Sequence, residues 1–391
     1  MSNNIIFDAV FYERKRECSF VNNVYLKNNP EKSIYSQKST GNNSKSGIHI
    51  LEDVPSYVNI ELHENYNAYN ILKSNVLGFY VNLEGYSDVE EYLKSQMGAK
   101  NRSRLRGLVN RLEKCFDITY KIYFGEITKE DYELLFAYLK KFIKERFSQR
   151  GDKHQAMKEW NLYKESTFDM IRKKEASLYV IYNENRPIDI CLNYHVAGVY
   201  VNKIRSYDID YSKFRLGYID IIKQLEWCLE NNYTIFDLMR GDLRYKREFC
   251  NVITNLDRFI IYPKHNFGAK LWANIKKEEL LLRPKLRFIK DATRKVLKNN
   301  ASADTVQENK EPEIKIVELT VFPTNIKLEQ IDLNQEEFNP LRKSVYEFQY
   351  STSEHSKDVQ IYKLTNEPGS FIVKSTSKII KISLSTSQMI N

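Results

Sequence analysis

The apolar positions in the first half of the chain predict an alternation of strands and helices. Residues 75–83, NVLGFYVNL, form a mostly apolar run typical of a strand, and a basic helical segment follows over 89–114. In 117–124, DITYKIYF, every second residue is apolar or aromatic, which is the period of a half-buried strand. Thr128 opens a helix in a capping-box arrangement, and a further helix is predicted over 155–174.

After residue 176 the pattern changes to short apolar runs separated by turns. The runs SLYVIY, IDICLNYHV and VYVNKIRSYD predict three successive antiparallel strands. A loop then leads to a helix over 219–232, a strand over 234–239, a loop of alternating charge and a strand over 256–263. A strand that passes through a helix to a parallel neighbour is a βαβ crossover. The sequence therefore predicts a mixed fold in which such a crossover is added to an antiparallel meander.

The two ends of the chain are less regular. Residues 1–75 show no clear period, and 36–47, SQKSTGNNSKSG, form a loop by composition. The polar, glycine-free segment 299–312 predicts a linker, and QIYKL, SFIVK and KIIKISL are strand candidates beyond it. We therefore expect the C-terminal unit, from about residue 313, to be dispensable for folding of the preceding region.

Composition narrows the class of protein. With 391 residues, 42% hydrophobic and 13% aromatic, the chain can form two or three domains with sizeable cores. Because the first residues lack a basic region and no ten apolar residues run together, neither a secretory signal nor a membrane-spanning helix is predicted. Five scattered cysteines without CxxC spacing indicate reduced core residues. We therefore expect a cytoplasmic protein without a metal cofactor.

The formal net charge of +9 is concentrated in two segments. Between 264 and 298, eleven Lys and Arg residues stand against three acidic residues, and 100–111, KNRSRLRGLVNR, has five basic residues and no acidic one. Such segments suit phosphate-bearing small ligands, anionic lipid and nucleic acid alike, so charge does not choose among these partners.

The first candidate site is the loop and helix start formed by Arg215, Leu216, Gly217 and Tyr218. Gly217 would let the backbone approach a ligand closely. The first amides of a helix have no internal partners and carry the positive end of its dipole, so a pyrophosphate would find N–H donors beside the Arg215 guanidinium. The alternative is that Arg215 is a surface charge and Gly217 a turn residue.

Several segments between about 76 and 263 carry a family likeness: KNRSRLRGLVNRLEK, Arg146, RPID, YDIDYSKFRLG and FDLMRGDLRYKREF. The element order around Arg215 resembles the GCN5-related N-acetyltransferase (GNAT) fold, in which the pyrophosphate of acyl-CoA lies at this helix N-terminus. The whole stretch is similar to acyltransferases of the CelD/BcsL type, which are linked to polysaccharide biosynthesis and have a FemAB-like tandem layout. In these proteins a strand ending in Phe-Asp precedes a Gly and a Tyr-Lys pair, matched here by Phe236, Asp237, Gly241, Tyr245 and Lys246. Of the R-x-x-G-x-G pattern of the acetyltransferase loop, only Arg215 and Gly217 are present.

The resemblance implies an α+β fold of the GNAT type, in tandem. It does not extend to roughly the last 90 residues, for which the sequence pattern predicts a small C-terminal α+β unit. It divides the chain into an N-terminal acetyltransferase-like half with a basic helix (1–125) and an acyltransferase domain with a trailing basic helix (126–298). A linker (299–312) and a small domain without an assigned role (313–391) follow.

The implied activity is acyl-CoA-dependent N-acylation of an amino sugar or a related precursor in polysaccharide biosynthesis. Residues 215–218 would bind the cosubstrate, acetyl-CoA or a longer acyl-CoA. Asp237 would accept a proton from the amine, and Tyr245 would donate one to the leaving thiolate. The acceptor would contact Lys246, Arg240, His195 and Arg146. The alternatives are that Asp237 caps its loop and that His195 is structural.

Two other functions remain open at this point. A transferase of related fold could take its acyl group from aminoacyl-tRNA and use the basic segments for RNA phosphates. A non-enzymatic adaptor could bind anionic lipid or nucleic acid through 264–298. For the leading hypothesis, we expect a small-molecule donor, an amine acceptor and peripheral contact with an anionic membrane, but no nucleic-acid partner.

Overall fold

The computed structural model describes residues 2–13, 18–37, 47–71, 76–149, 151, 155–298, 314–323 and 326–384, with backbone alone for 283–298. The predicted linker 299–312 and most of the predicted loop 36–47 lie outside the described residues.

The described elements confirm a mixed α+β fold. The helices are α1 (Phe7–Phe11), α2 (Val89–Gln96), α3 (Ala99–Cys115), α4 (Lys129–Gln149), α5 (Trp160–Arg172), α6 (Leu216–Glu230), α7 (Arg244–Phe249), α8 (Phe267–Lys298) and α9 (Asn339–Thr352). Short 3-10 helices cover Gln155–Glu159, Ile209–Phe214, Glu336–Phe338 and Ser356–Asp358.

The strands form four sheets. They are β1 (Ser2–Ile6), β2 (Val21–Leu26), β3 (Asn29–Ser36), β4 (Ile48–Val54), β5 (Val58–Leu62), β6 (Tyr66–Ile71), β7 (Leu77–Asn82), β8 (Ile118–Tyr123), β9 (Ala176–Asn183), β10 (Arg186–Val196), β11 (Val199–Tyr207), β12 (Ile235–Arg240), β13 (Val252–Asn255), β14 (Asp257–Pro263), β15 (Lys315–Leu319), β16 (Leu328–Gln330), β17 (Gln360–Leu364), β18 (Ser370–Lys374) and β19 (Ile379–Ser383).

The central sheet has seven strands in the order β13-β7-β12-β11-β10-β9-β8. β8 to β11 form the predicted antiparallel meander, and β11 runs parallel to β12 across α6, which is the predicted crossover. β7 and β8 come from the part of the chain before residue 126, so the sheet takes strands from both sides of the predicted division at residue 125. The division of this part of the chain at residue 125 stays a prediction.

Both faces of the central sheet are covered, which explains the continuous apolar runs of its inner strands. Leu178 and Val180 of β9 belong to a core that includes α4 and α5. Tyr179 and Ile181 point to the other face, whose core includes α3, α6 and α9. The alternation of the strand thus divides one apolar run between two cores.

The N-terminal region forms two smaller sheets that the sequence pattern did not predict. Their strand orders are β1-β4-β14-β6 and β3-β2-β5. β14, which follows the central sheet in the chain, returns to pair with β4 and β6. α8 then packs on this sheet through Ala269, Ala273 and Leu280, next to Ile260 of β14.

The C-terminal unit is a five-stranded sheet, β15-β19-β18-β17-β16, with α9. α9 is packed against the region that contains the central sheet: Tyr346 lies 4.5 Å from Tyr211 and 5.1 Å from Phe116 between ring centroids, and Tyr350 lies 5.1 Å from Phe214. The expectation that this unit is dispensable for folding is therefore revised, because its removal would expose aromatic side chains of a shared core.

Candidate functional site

The site begins where two parallel strands separate. β11 and β12 pair only at Val199–Val201 and Ile235–Asp237, although both continue further. Opposite β10, Leu192 pairs with Ile204 and Asn193 with Asn202, so Lys203 is an extra residue of a β-bulge in β11. The opening between the strands therefore starts at Asp237 and is bordered by the irregular half of β11.

The N-terminus of α6 lies at the end of this irregular half. Arg215 precedes the helix with φ 56° and ψ 48°, and its side chain offers no acceptor to the first amides. It is exposed, whereas Leu216 is buried, so Leu216 can offer a ligand only its backbone. Tyr218 is half-buried beneath the Arg104 guanidinium, 5.3 Å from its ring centroid. The end of the helix thus presents uncapped amides flanked by two arginines.

A buried ion pair holds α6 on the sheet. Arg205 of β11 donates from Nη2 to the Gly217 carbonyl at 2.5 Å and to the Asp220 carboxylate at 2.5 and 2.7 Å. The Cys191 thiol donates to Asp220 at 3.3 Å, and Asp189 lies beside the pair. Burial raises the pKa of both carboxyl groups, and the Asp220 charge raises that of Asp189 further.

Asp189, Cys191 and Asp220 have ligand atoms within 4.8 Å of one another, a spacing that could hold a metal ion. The Arg205 guanidinium already supplies positive charge to Asp220, so this carboxylate has a partner without a metal.

Tyr245 and Arg146, both predicted site residues, lie close to this ion pair. The Tyr245 ring centroid is 4.9 Å from the Arg205 guanidinium, and the Arg146 guanidinium is 4.5 Å from the Tyr207 ring centroid. Burial raises the pKa of the Tyr245 hydroxyl, so this group remains a proton donor at neutral pH. The structure thus brings Tyr245 and Arg146 to the same side of β11 as α6.

Asp237 is buried at the start of the opening, with both carboxylate oxygens hydrogen-bonded. Oδ2 accepts from the Tyr57 hydroxyl at 2.6 Å, and Oδ1 accepts from the Met239 amide at 2.6 Å. The Tyr57 hydroxyl also lies 2.6 Å from that of Tyr12. Burial raises the pKa of Asp237, and the two hydrogen bonds oppose this rise.

The backbone after Asp237 is irregular, because β12 shifts its register against β7 between Asp237 and Arg240. Met239 has φ 61°, a left-handed conformation unusual for a side chain of this size. This bend turns the Met239 amide back to Asp237, so the carboxylate also caps its loop, as the alternative interpretation expects.

The next residues have partners inside the protein. Lys246 is buried, and its Nζ donates to the Arg240 carbonyl at 2.7 Å. Burial lowers the pKa of Lys246 to about 8 although the Asp237 charge opposes the shift. The Arg240 side chain pairs with Asp53 at 2.6 Å. The predicted loop of alternating charge is partly wrong, because 244–249 form α7, with an Arg244–Glu248 pair one turn apart.

His195 is on β10, opposite Tyr200 near the start of β11. Its ring nitrogens lie 2.7 Å from the Tyr233 hydroxyl and 2.8 Å from the Ser177 hydroxyl. Burial lowers the pKa of His195 to about 3. It borders a surface cavity of about 330 Å³ that Phe124, Lys174 and Tyr233 also line. This geometry favours the structural interpretation of His195 over acceptor binding.

Sequence reasoning did not find Tyr57, Tyr12, Arg205 or Asp220. Tyr57 and Tyr12 come from the region without a readable period, and they reach Asp237 only through long-range packing. Arg205 and Asp220 flank the Arg215 loop in the sequence, and that proximity was an available signal. In the described structure α7 lies next to both the Arg205–Asp220 pair and Asp237. Its Tyr245 ring contacts Arg205, and the charge of Asp237 acts on its Lys246.

Comparison with known proteins gives one family match, over part of the chain. Residues 99–247, from α3 into α7, match the acetyltransferase (GNAT) domain family. No curated protein shows significant sequence similarity to the chain.

Solved structures give weak similarities. FemX is 10% identical, with 54% of this chain and 71% of that chain covered and a TM-score of 0.38. L-PGS from Bacillus licheniformis is 14% identical, with coverages of 61% and 72% and a TM-score of 0.35. A tandem GNAT protein from the clavulanic acid biosynthesis pathway is 8% identical, with coverages of 55% and 63% and a TM-score of 0.28. The segment that matches the GNAT domain family contains the β11–α6–β12 crossover, with Arg215 and Asp237.

Proposed function

We propose that the protein is an N-acyltransferase that moves an acyl group from acyl-CoA to an amine. As acceptor we propose an amino sugar or a related precursor of a polysaccharide, which rests on the CelD/BcsL resemblance. The observation that carries the proposal is the separation of β11 from β12 beside the uncapped N-terminus of α6, within the region that matches the GNAT family.

The donor would lie along the opening between the strands. Its pyrophosphate would accept hydrogen bonds from the first amides of α6 and from Arg215. The β11 edge beyond Val201 is not paired with β12, so its backbone groups can bond the amide-bearing arm of CoA as a strand would.

The reaction would be direct transfer. The amine nitrogen attacks the thioester carbonyl, a C–N bond forms, and the C–S bond breaks with the electron pair leaving on sulfur. Asp237 would accept the proton that the nitrogen loses, since burial brings its pKa upward toward a useful range. Tyr245 would protonate the thiolate.

The basic helix α3 supports a small donor over aminoacyl-tRNA. Four of its six basic residues have partners within the protein: Arg102 bonds the Met97 carbonyl, Arg104 pairs with Glu248, Arg106 pairs with Glu90, and Arg111 bonds the Tyr350 carbonyl. Arginines engaged in this way contribute less to a surface for RNA phosphates.

Calorimetry of CoA binding tests the proposal. Arg215→Gly is the informative change, because glycine tolerates the left-handed backbone of Arg215, so the charged side chain is removed without backbone strain. We expect the variant to lose about 1–3 kcal/mol of CoA affinity, the range for a charged hydrogen bond. Lys213→Ala is the matched control, since Lys213 is an exposed cation of the same loop and should leave affinity unchanged.

Two outcomes would contradict the proposal: no CoA binding by the wild type, or equal losses in both variants. Thiol release from a panel of acyl-CoAs with amino sugars then identifies the substrates. Charged tRNA in place of acyl-CoA, with transfer detected on the acceptor, would favour the other donor.

A further inference from the structure

α8 carries an exposed apolar stripe on the face turned away from the protein. Ala269, Ala273 and Leu280 face the sheet that contains β14 and β6. On the opposite face, the side chains of Phe267, Leu271, Ile275 and Leu282 are 81%, 54%, 61% and 50% exposed. These residues are spaced four, four and seven positions apart, so they lie on one side of the helix. We call them the exposed stripe.

Large apolar side chains that are contiguous and exposed mark a surface that another partner covers. The charge of the segment identifies the kind of partner. The segment 264–298 has eleven Lys and Arg residues against three acidic ones, and Lys264 and Lys270 are exposed beside the exposed stripe.

We propose that α8 docks the protein on an anionic lipid bilayer, lying in the plane of the interface. The exposed stripe would enter the boundary between headgroups and acyl chains, and the lysine and arginine side chains would reach the lipid phosphates. Among the described residues no helix is both long and apolar enough to cross a membrane, which fits a helix that lies on the surface. This inference does not depend on the proposed acyltransferase activity.

Other partners fit the charge or the apolar surface, but not both. A nucleic acid would use the basic residues and leave the exposed stripe in water. A second copy of the chain would cover the exposed stripe and bring two strongly basic helices together, where like charges repel.

Vesicle cosedimentation of the full chain tests the proposal. We expect binding to vesicles of phosphatidylcholine and phosphatidylglycerol in equal parts, much weaker binding to phosphatidylcholine alone, and release as the salt concentration rises. The double variant Leu271→Ser, Ile275→Ser should lower the partition coefficient about tenfold, because two apolar side chains no longer enter the interface.

The matched control is Leu134→Ser, Leu162→Ser, which removes two leucines of similar exposure, 50% and 52%, from α4 and α5. It should bind as the wild type does. The proposal is overturned if the wild type binds neither vesicle, if it binds both equally, or if the control loses as much binding as the stripe variant. It is also overturned if sedimentation velocity shows a dimer that the stripe variant abolishes, since the exposed stripe would then be an interface between copies.

Discussion

At the scale of single residues, the surroundings of Asp237 have two opposite effects on the pKa of its carboxyl group. Burial disfavours the carboxylate, while the Tyr57 hydroxyl and the Met239 amide stabilise it. A buried carboxyl group whose pKa is raised can serve as a base, and it can equally fix the bend of its loop. Substitutions that keep the shape and remove one property at a time distinguish the two roles.

Asp237→Asn keeps the size of the side chain and removes its basicity. If Asp237 accepts the proton of the amine, turnover should fall by roughly 10²–10⁴ while acceptor binding survives. Tyr57→Phe deletes a hydrogen bond that lowers the pKa of Asp237, so the acidic limb of the pH–rate profile should move to higher pH. A stable Asp237→Asn enzyme with near-normal turnover but a lower melting temperature would make this carboxylate a loop cap only.

The titration of His195 offers a second test at this scale. Its pKa is about 3 in the folded chain and about 6.5 when unfolded. Between these values the unfolded chain binds the proton more readily, so the free energy of unfolding should fall as pH drops from 6.5 toward 3.

His195→Gln can still bond Tyr233 and Ser177, and it cannot take up the proton. The unfolding free energy of both proteins is measured with urea at about pH 7 and about pH 3.5. Over this range we expect the wild type to lose on the order of 4 kcal/mol more than the variant. Turnover per folded molecule should be the same in both. An unchanged pH dependence together with reduced turnover would instead support the acceptor-binding role.

At the scale of elements, sequence periodicity predicted those strands and helices whose burial is regular. β7 to β12 and α3 to α6 follow apolar or alternating runs, and Thr128 caps α4 as expected, with the Asp131 amide 3.1 Å from its hydroxyl. β3 was not predicted, because half of its residues are exposed and it lies at the edge of a three-stranded sheet. α7 was missed because its sequence, RYKREF, is largely polar.

Periodicity describes the burial of a segment and not its distant partners, so only part of the site could be predicted. The Arg215 loop and Asp237 were available from the sequence, since glycine, arginine and a strand-ending aspartate are local signals. The Tyr57–Asp237 bond joins residues 180 positions apart, and no local pattern encodes it.

The ion pair between Arg205 and Asp220 joins β11 to α6 and is the element-scale feature with the largest expected effect. Arg205→Met would leave Asp220 buried without its cation, and we expect a loss of about 3–5 kcal/mol in unfolding free energy. The double variant Arg205→Met, Asp220→Leu should recover most of this unfolding free energy, because neither member of the pair is then left buried without its partner. Urea unfolding of the four proteins of this cycle measures the coupling. A single variant within 1 kcal/mol of the wild type would mean that α6 does not depend on this pair.

At the scale of the whole molecule, the C-terminal unit is joined to the region of the central sheet by charge as well as by aromatic packing. The Arg111 guanidinium lies 4.6 Å from the Tyr350 ring centroid and donates to the Tyr350 carbonyl at 3.0 Å. Lys357 pairs with Asp117 at 2.6 Å, and Arg342 lies 3.9 Å from Asp210. The 3-10 helix Ile209–Phe214, which α9 contacts, leads directly into Arg215, so the unit braces the loop of the proposed donor site.

Truncation near residue 300 tests this bracing. Fully burying one aromatic side chain stabilises a fold by about 1.5–3 kcal/mol, so uncovering Phe116, Tyr211 and Phe214 should cost on the order of 5 kcal/mol. Most of the stability of an ordinary domain would then be lost, and the truncated chain should aggregate or melt without cooperativity.

In the full chain, Tyr346→Ala should reproduce part of the loss by lowering the melting temperature and weakening CoA binding together. Tyr362→Ala, on β17 and away from α9, is the control and should leave CoA affinity unchanged. A truncated chain that melts at the temperature of the full chain and binds CoA equally well would contradict this prediction. The region before the linker would then fold without the C-terminal unit, as the polar linker in the sequence suggests.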